Sequence, residues 1–98
     1  MDFIEEFNFG YESIKHYLEK VHIFAFIKET EEVLPTDEHN GGIHIYHNEF
    51  FVAIYMNKIN HFECSVVIND DVLAFTIIDN GDMLENFLSA LSLEFIRI

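Results

Sequence analysis

The sequence predicts an α+β fold, in which an antiparallel sheet of four to six strands is covered by an N-terminal and a C-terminal helix. Three observations predict it: a run of strand-forming segments in residues 50–79, apolar residues at helical spacing near both ends, and a length that suits one domain. A chain of 98 residues buries enough surface for a single core, so residues 1–98 are expected to form one domain.

Residues 50–79 predict an antiparallel meander. They contain three runs rich in Phe, Val, Ile, Tyr and Thr, the residues that suit a pleated and half-buried surface. These runs are residues 50–57, 61–69 and 72–79. The last two are separated by Asn69, Asp70 and Asp71, and Asn and Asp tolerate the positive φ angles that tight hairpin turns require.

The middle run has an apolar face and a mostly polar face. Phe62 and Cys64 lie on one side and Glu63 and Ser65 on the other, because successive residues of a strand point to opposite faces. One face of this strand is therefore expected to meet water. The runs before and after it are apolar on both faces, which predicts burial on two sides for part of the sheet.

The N-terminal residues carry a helical pattern. Asp2 is placed to cap a first turn, and an apolar stripe at i, i+3, i+4 and i+7 begins at Ile14. Gly10 interrupts the pattern, so this region is predicted to be one kinked helix or two short helices. Its stripe is expected to lie across one face of the sheet.

The C-terminal residues predict a second helix. Asp82 is placed to cap it, with Glu85 three residues later completing a capping box. An apolar stripe follows, made of Leu84, Phe87, Leu88 and Leu91. The last six residues alternate weakly, which is compatible with either an extension of this helix or an edge strand.

Two further strands are predicted before the meander, at residues 22–28 and 43–47. Between them, residues 29–42 contain five acidic residues, the only proline and a Gly pair, which indicates an irregular segment. Loops longer than about 12 residues are often functional or disordered. The sequence leaves open whether this segment is ordered.

The composition is that of a chain with its own apolar core. Half of the residues are hydrophobic and 11 are Phe, and each buried Phe contributes about 1.5–3 kcal/mol. A single cysteine, Cys64, excludes an internal disulfide and is expected to be buried. The N-terminus lacks the basic and apolar regions of a signal peptide, and no window has the roughly 18 apolar residues of a membrane span. We therefore expect a cytoplasmic protein.

The residue types needed for catalysis or metal binding do not fall into a usable pattern. His44 and His47 are three residues apart, as are His61 and Cys64, and an odd offset places strand residues on opposite faces. Cys64 lies on the apolar face, where burial raises a thiol pKa and lowers its reactivity. The sequence predicts no metal site, no cofactor and no enzymatic activity.

The charge is strongly one-signed, with 18 acidic against five basic residues and a formal charge of −13. A net charge of magnitude about 2–8 suffices for the solubility of a small domain. Nucleic acid and anionic membranes reward Lys and Arg, which argues against either as a direct partner. Two groups of acidic residues are predicted to bind a partner protein. They are Glu31, Glu32, Asp37 and Glu38 in the irregular segment, and Asp70, Asp71, Asp79 and Asp82 around the last strand.

These observations favour a small acidic protein that neutralises a basic partner. Immunity proteins, antitoxins and nucleic-acid mimics that inhibit nucleases or other nucleic-acid-binding proteins are of this physical type. The alternative is an acidic secretion-type chaperone that holds an unfolded segment of its partner in an apolar groove. A third interpretation is a domain whose acidic surface has no binding role. Strands apolar on both faces further predict a homodimer, which the charge of each copy opposes.

Overall fold

The computed structural model describes residues 8–21, 27 and 29–97, and it confirms the predicted α+β architecture. Five strands form one antiparallel sheet whose spatial order, β1-β2-β3-β4-β5, follows the chain. The elements are α1 (Phe9–Lys20), β1 (Glu29–Val33), β2 (His39–His47), β3 (Phe50–Asn57), β4 (Phe62–Ile68), β5 (Asp71–Ile78) and α2 (Gly81–Arg97).

The predicted meander corresponds to β3, β4 and β5. Its last turn consists of Asn69 and Asp70, with φ angles of 49° and 68°. Two consecutive positive φ angles define the type I′ turn, whose twist matches that of the strands it joins. The side-chain chemistry of Asn and Asp therefore specifies this hairpin, as the sequence predicts.

Both helices pack on the same face of the sheet, where the apolar core lies. The predicted helical stripes supply its upper layer, with Ile14 and Leu18 from α1 and Leu84 and Leu88 from α2 fully buried. The sheet supplies the lower layer, and its fully buried residues are Ile43, Ile45, Val52, Ile54 and Cys64. The face of β4 that carries Cys64 is thus the core side, as the alternation predicts.

Asn8 fixes the start of α1 and ties it to the sheet. Its Oδ1 accepts a hydrogen bond from the backbone N–H of Tyr11 at 3.0 Å, which caps the helix. Its Nδ2 donates to the carbonyl oxygen of Val33 at 2.8 Å and to Oε2 of Glu32 at 2.9 Å. The predicted start at Asp2 lies outside the described residues.

Gly10 is a packing residue inside α1 and does not interrupt this helix, in contrast to the prediction. The helical turns predicted before Asn8 lie outside the described residues. Gly10 lies in the first turn of α1 and is buried against β2. A Cβ atom at Gly10 would overlap the carbonyl group of Gly41, and Gly41 itself has a φ of 97°. The missing side chains let the two backbones come into direct contact.

Residues 29–42 are not one irregular segment, in contrast to the prediction. β1 and the start of β2 occupy most of them, and only a short turn at residues 34–38 is irregular. In this turn Oγ1 of Thr36 accepts from the backbone N–H of Glu38 at 3.0 Å. The side chains of β1 are exposed apart from half-buried Val33, so backbone pairing with β2 makes this segment a strand.

The predicted strand at residues 22–28 falls outside the described residues, apart from Ile27, which packs against the core. The strand predicted at residues 43–47 is longer than expected, because β2 begins at His39. Apolar alternation could not predict this extension, because the first four residues of β2 are polar residues and glycines.

The expected burial on two sides does not hold for β5. Phe75 is 62 % exposed and Ile77 is 55 % exposed. The physical reason is that strand register places both side chains on the sheet face opposite the helices, which no described helix covers, and on the edge strand of the sheet. The central strand β3 is covered on the helix side, and its other face carries half-buried Phe51 and Tyr55.

Asn80, and not Asp82, caps α2. The Oδ1 atom of Asn80 accepts from the backbone N–H of Met83 at 2.9 Å. Asp82 lies in the first turn, where its charge interacts favourably with the helix dipole. The helix continues to Arg97, so the last residues extend the helix and do not form an edge strand.

Candidate partner-binding surface

The sheet face opposite the helices, here called the open face, is uncovered by any helix of the described residues. Strand register places aromatic, aliphatic and polar side chains on it. They include Glu31, His44, Tyr46, Phe51, Ala53, Tyr55, Glu63, Ser65, Val67, Phe75 and Ile77. Aromatic residues are enriched at protein interfaces, where they bury large areas at little entropic cost.

A hydrogen-bonded chain orders the aromatic part of the open face. His44 Nε2 lies 2.6 Å from the hydroxyl of Tyr55, and His44 Nδ1 lies 3.2 Å from Oε1 of Glu31. Tyr46 donates to the same carboxylate oxygen at 3.4 Å. When Nδ1–H of His44 donates to Glu31, Nε2 accepts a hydrogen bond from the hydroxyl of Tyr55. Burial raises the pKa of Tyr55, so its hydroxyl keeps the proton that it donates.

The network joins a carboxylate, an imidazole and a phenol in series, as an acid–base relay does. Both ring nitrogens of His44 are held by neighbouring side chains, which fixes the orientation of the ring on the open face. The sequence did not predict this hydrogen-bonded network, because Glu31, His44 and Tyr55 come from three different strands. The one signal was the position of His44 between the apolar residues Ile43 and Ile45, which places it on the face opposite to theirs.

β5 forms one edge of the sheet, and no other described strand lies beyond it. It carries no Lys or Pro, the residues with which proteins usually protect an edge strand. Val66 pairs with Ala74 and Val67 with Val72, so Leu73 is an extra residue that forms a bulge. Beyond this bulge, residues 74–78 are regular strand, in which Ala74, Phe75 and Ile77 are exposed and Ile78 is buried in the core.

An apolar groove of about 370 Å³ runs between α2 and the β5 side of the sheet. Its lining is apolar except for Glu94. The lining residues are Phe50, Val66, Ile68, Leu73, Ala74, Phe87, Ala90, Leu91 and Glu94. Because Leu73 and Ala74 belong to β5, the groove lies directly beside the edge strand.

The second predicted acidic group frames β5. Asp70 and Asp71 lie at the turn where the strand begins, and Asp79 and Asp82 follow its end, all four exposed. Asp71 and Asp79 are eight residues apart, which corresponds to about 26 Å at 3.3 Å per residue. The structure thus places two carboxylate pairs at opposite ends of one exposed apolar strand.

The first predicted acidic group does not form one patch. Glu31 points to the open face, where it binds His44, whereas the next residue, Glu32, points to the helix side and binds Asn8. Asp37 and Glu38 are exposed in the turn between β1 and β2. The predicted site residues therefore divide, and only the second group surrounds an apolar surface.

The three lysines whose side chains the structure describes each have a partner. Lys20 bridges the two helices through Oε2 of Glu85 at 3.1 Å, and the hydrogen bond with Glu85 raises the pKa of Lys20, with Asp82 adding to the effect. Lys15 lies 5.7 Å from the centre of the Tyr11 ring, and Lys58 donates to Asn40 at 3.0 Å. Asp82 is thus the one member of its group placed near Lys20.

His44 and His47 lie on opposite sheet faces, as their spacing predicts. His47 is buried on the helix side, with its ring stacked 4.5 Å from that of Phe95, while His44 lies on the open face. In the described part of the chain, no group of three or more His, Cys, Asp or Glu residues is placed to hold a metal ion.

We expect the thiol of Cys64 to be inert in the folded protein. Cys64 is buried, and burial raises its pKa to about 12. Alkylation by iodoacetamide near pH 8 is expected to be at least about 100-fold slower than for the urea-unfolded chain, because the thiolate is the reactive form. Equal rates for the folded and unfolded chains would contradict this assignment.

The raised pKa of Cys64 also predicts how the stability of the protein changes with pH. The pKa of Cys64 is higher in the folded than in the unfolded state, so the unfolded chain loses its proton first. This contribution to stability is present below pH 9 and is lost as the pH rises from about 9 towards about 12. Urea unfolding midpoints of the wild type and Cys64→Ala across this range measure it.

No known protein family, curated protein or solved structure shows significant similarity to this chain. Within the described residues, neither helix is long and apolar enough to cross a membrane. The fold and surface together define an α+β protein with a meander sheet, two helices on one face, and an exposed apolar edge framed by acidic residues.

Proposed function

We propose that this protein binds and neutralises a basic protein partner in the cytoplasm, such as a toxin nuclease or another nucleic-acid-binding enzyme. The observation that carries the proposal is the arrangement around β5, where carboxylates at both ends border an exposed apolar strand. The overall charge of −13 adds a long-range field that attracts a basic surface.

The two kinds of surface have different roles in this proposal. Exposed ion pairs contribute roughly 0–1 kcal/mol each, so carboxylates at the rim mainly speed association and orient the partner. Lasting affinity requires a desolvated centre, which the exposed side chains of Phe75 and Ile77 provide. Direct binding of nucleic acid is disfavoured, because the same carboxylates repel phosphate groups.

A secretion-type chaperone remains the second candidate, favoured by the apolar groove beside α2. In that role the groove would hold an unfolded segment mainly through apolar contacts. Such binding weakens little with salt, whereas steering by carboxylates weakens as the Debye length falls below its value of roughly 8 Å at 0.15 M salt. Salt dependence therefore separates the two functions.

The test begins with isolation of the partner. A photo-crosslinking amino acid in place of exposed Val72 captures the bound protein in the source cells. The captured protein is then purified, and its association rate is measured across a salt series, with and without duplex DNA. The proposal expects a basic protein, slower association at higher salt, and competition by DNA. An acidic partner, or rates indifferent to salt and DNA, would reject it.

A further inference from the structure

We propose that the partner docks through an extended segment that adds to β5 as a sixth strand, with apolar side chains in the middle and Lys or Arg at both ends. This inference rests on the proposed function, since it takes the partner to be basic. It specifies the part of the partner that binds and the backbone to which it binds.

The backbone of β5 is available for strand addition. In an antiparallel sheet, alternate residues of an edge strand direct their N–H and C=O groups away from the sheet. No described strand occupies that side of β5. The bulge at Leu73 disturbs the first part of the strand, so residues 74–78 offer the regular hydrogen-bonding pattern.

The groove beside α2 gives such a segment its side-chain specificity. Every second side chain of an added strand would point to the helix side, where Leu73, Ala74, Phe87 and Ala90 line the groove. The volume of about 370 Å³ falls within the range of roughly 300–1,000 Å³ that is typical of ligand pockets. The intervening side chains would lie beside Phe75 and Ile77 on the open face.

The charges around β5 disfavour a second copy of this protein and favour a basic segment as the added strand. In an antiparallel pairing of two copies centred on Phe75, Asp71 of each copy would lie opposite Asp79 of the other. Like charges in directly opposed positions destabilise a strand pair. A segment whose basic ends are separated by about the same length of strand as Asp71 and Asp79 would replace this repulsion with attraction in either strand direction.

The test uses a fluorescein-labelled peptide of alternating Val and Thr residues with Lys-Arg at both ends, and fluorescence anisotropy at low salt. Two control peptides carry N-methyl groups on all Val or on all Thr residues. Because the N–H groups of alternate residues point to opposite edges of a strand, only one of the two modifications is expected to abolish binding.

A pair of protein variants tests the groove. Ala90→Trp fills it, whereas Leu93→Trp adds the same side chain at an exposed position of α2 outside its lining. We expect the peptide to bind Ala90→Trp at least tenfold more weakly than the wild type, and Leu93→Trp unchanged. Circular dichroism checks the fold, and the N-methylated peptides test the inference on the wild type alone.

Four results would overturn the strand-addition inference. One is no binding of the peptide to the wild type, and another is equal binding of all three peptides. A third is equal binding to Ala90→Trp. The last is a homodimer that Ala90→Trp dissociates, which would make a second copy the occupant. None of these depends on the salt-sensitive association with the captured partner, so the proposed function stands or fails separately.

Discussion

Replacing Gly10 with Ala is expected to destabilise the protein by about 3 kcal/mol, at the upper end of the cost of overpacking. In an exposed helix the same substitution would stabilise by roughly 1 kcal/mol, because Ala has the higher helix propensity. Here the new methyl group would overlap the carbonyl group of Gly41, which belongs to the backbone of β2 and has little freedom to move. The steric overlap outweighs the gain in helix propensity, so the net effect on the free energy of unfolding is destabilising.

Urea unfolding followed by circular dichroism measures this effect. Ser13→Ala is the matched control, because it introduces the same residue in the same helix at a half-buried position. Its free energy of unfolding is expected to stay within about 0.5 kcal/mol of the wild type. If Gly10→Ala were as stable as the wild type, the close contact between α1 and β2 would be wrong.

Gly10 also shows where sequence reasoning reaches its limit. A glycine within a helical pattern indicates either a break or a close approach, and only its contact with Gly41 distinguishes the two. The meander and α2 were predictable, because their apolar periodicity is strong and their turns use Asn and Asp. For β3 the predicted bounds of residues 50–57 match the structure.

Two other elements were less accessible from sequence. β1 contains three Glu residues and little apolar character, so its strand conformation follows from pairing with β2 and leaves no local signal. β5 has the composition of a buried strand, yet its edge position leaves it exposed. Composition reports how apolar a strand is, but only topology determines which faces are covered. The acidic frame around β5 depends on the same topology.

Reducing the charge at both ends of β5 is expected to slow association with the basic partner by at least about tenfold, within the range of 10–10³ that electrostatic steering provides. The variant combines Asp70→Asn, Asp71→Lys and Asp79→Lys. Asn is chosen at position 70 because it tolerates the φ of 68° there. Asp82 is left unchanged because it lies near Lys20 in the first turn of α2.

The matched control carries Glu12→Gln, Glu19→Lys and Glu29→Lys. Each triple variant changes the formal charge by five, from −13 to −8. A difference between their association rates is therefore due to the position of the substituted charges and not to the net charge. Stopped-flow association rates at low and high salt are measured for both. A control as slow as the β5 variant would show that only net charge matters and that β5 is not the docking site.

The order of the strands also has a consequence for how the chain folds. Each strand pairs with its neighbour in sequence through a short connection, so the four hairpins close small loops at little entropic cost. The contacts of α1 with β2 and with α2 span far longer stretches of chain. We therefore expect the sheet to form early and α1 to dock late. In that order of events, substitutions where α1 meets β2 are expected to accelerate unfolding and to leave the folding rate almost unchanged.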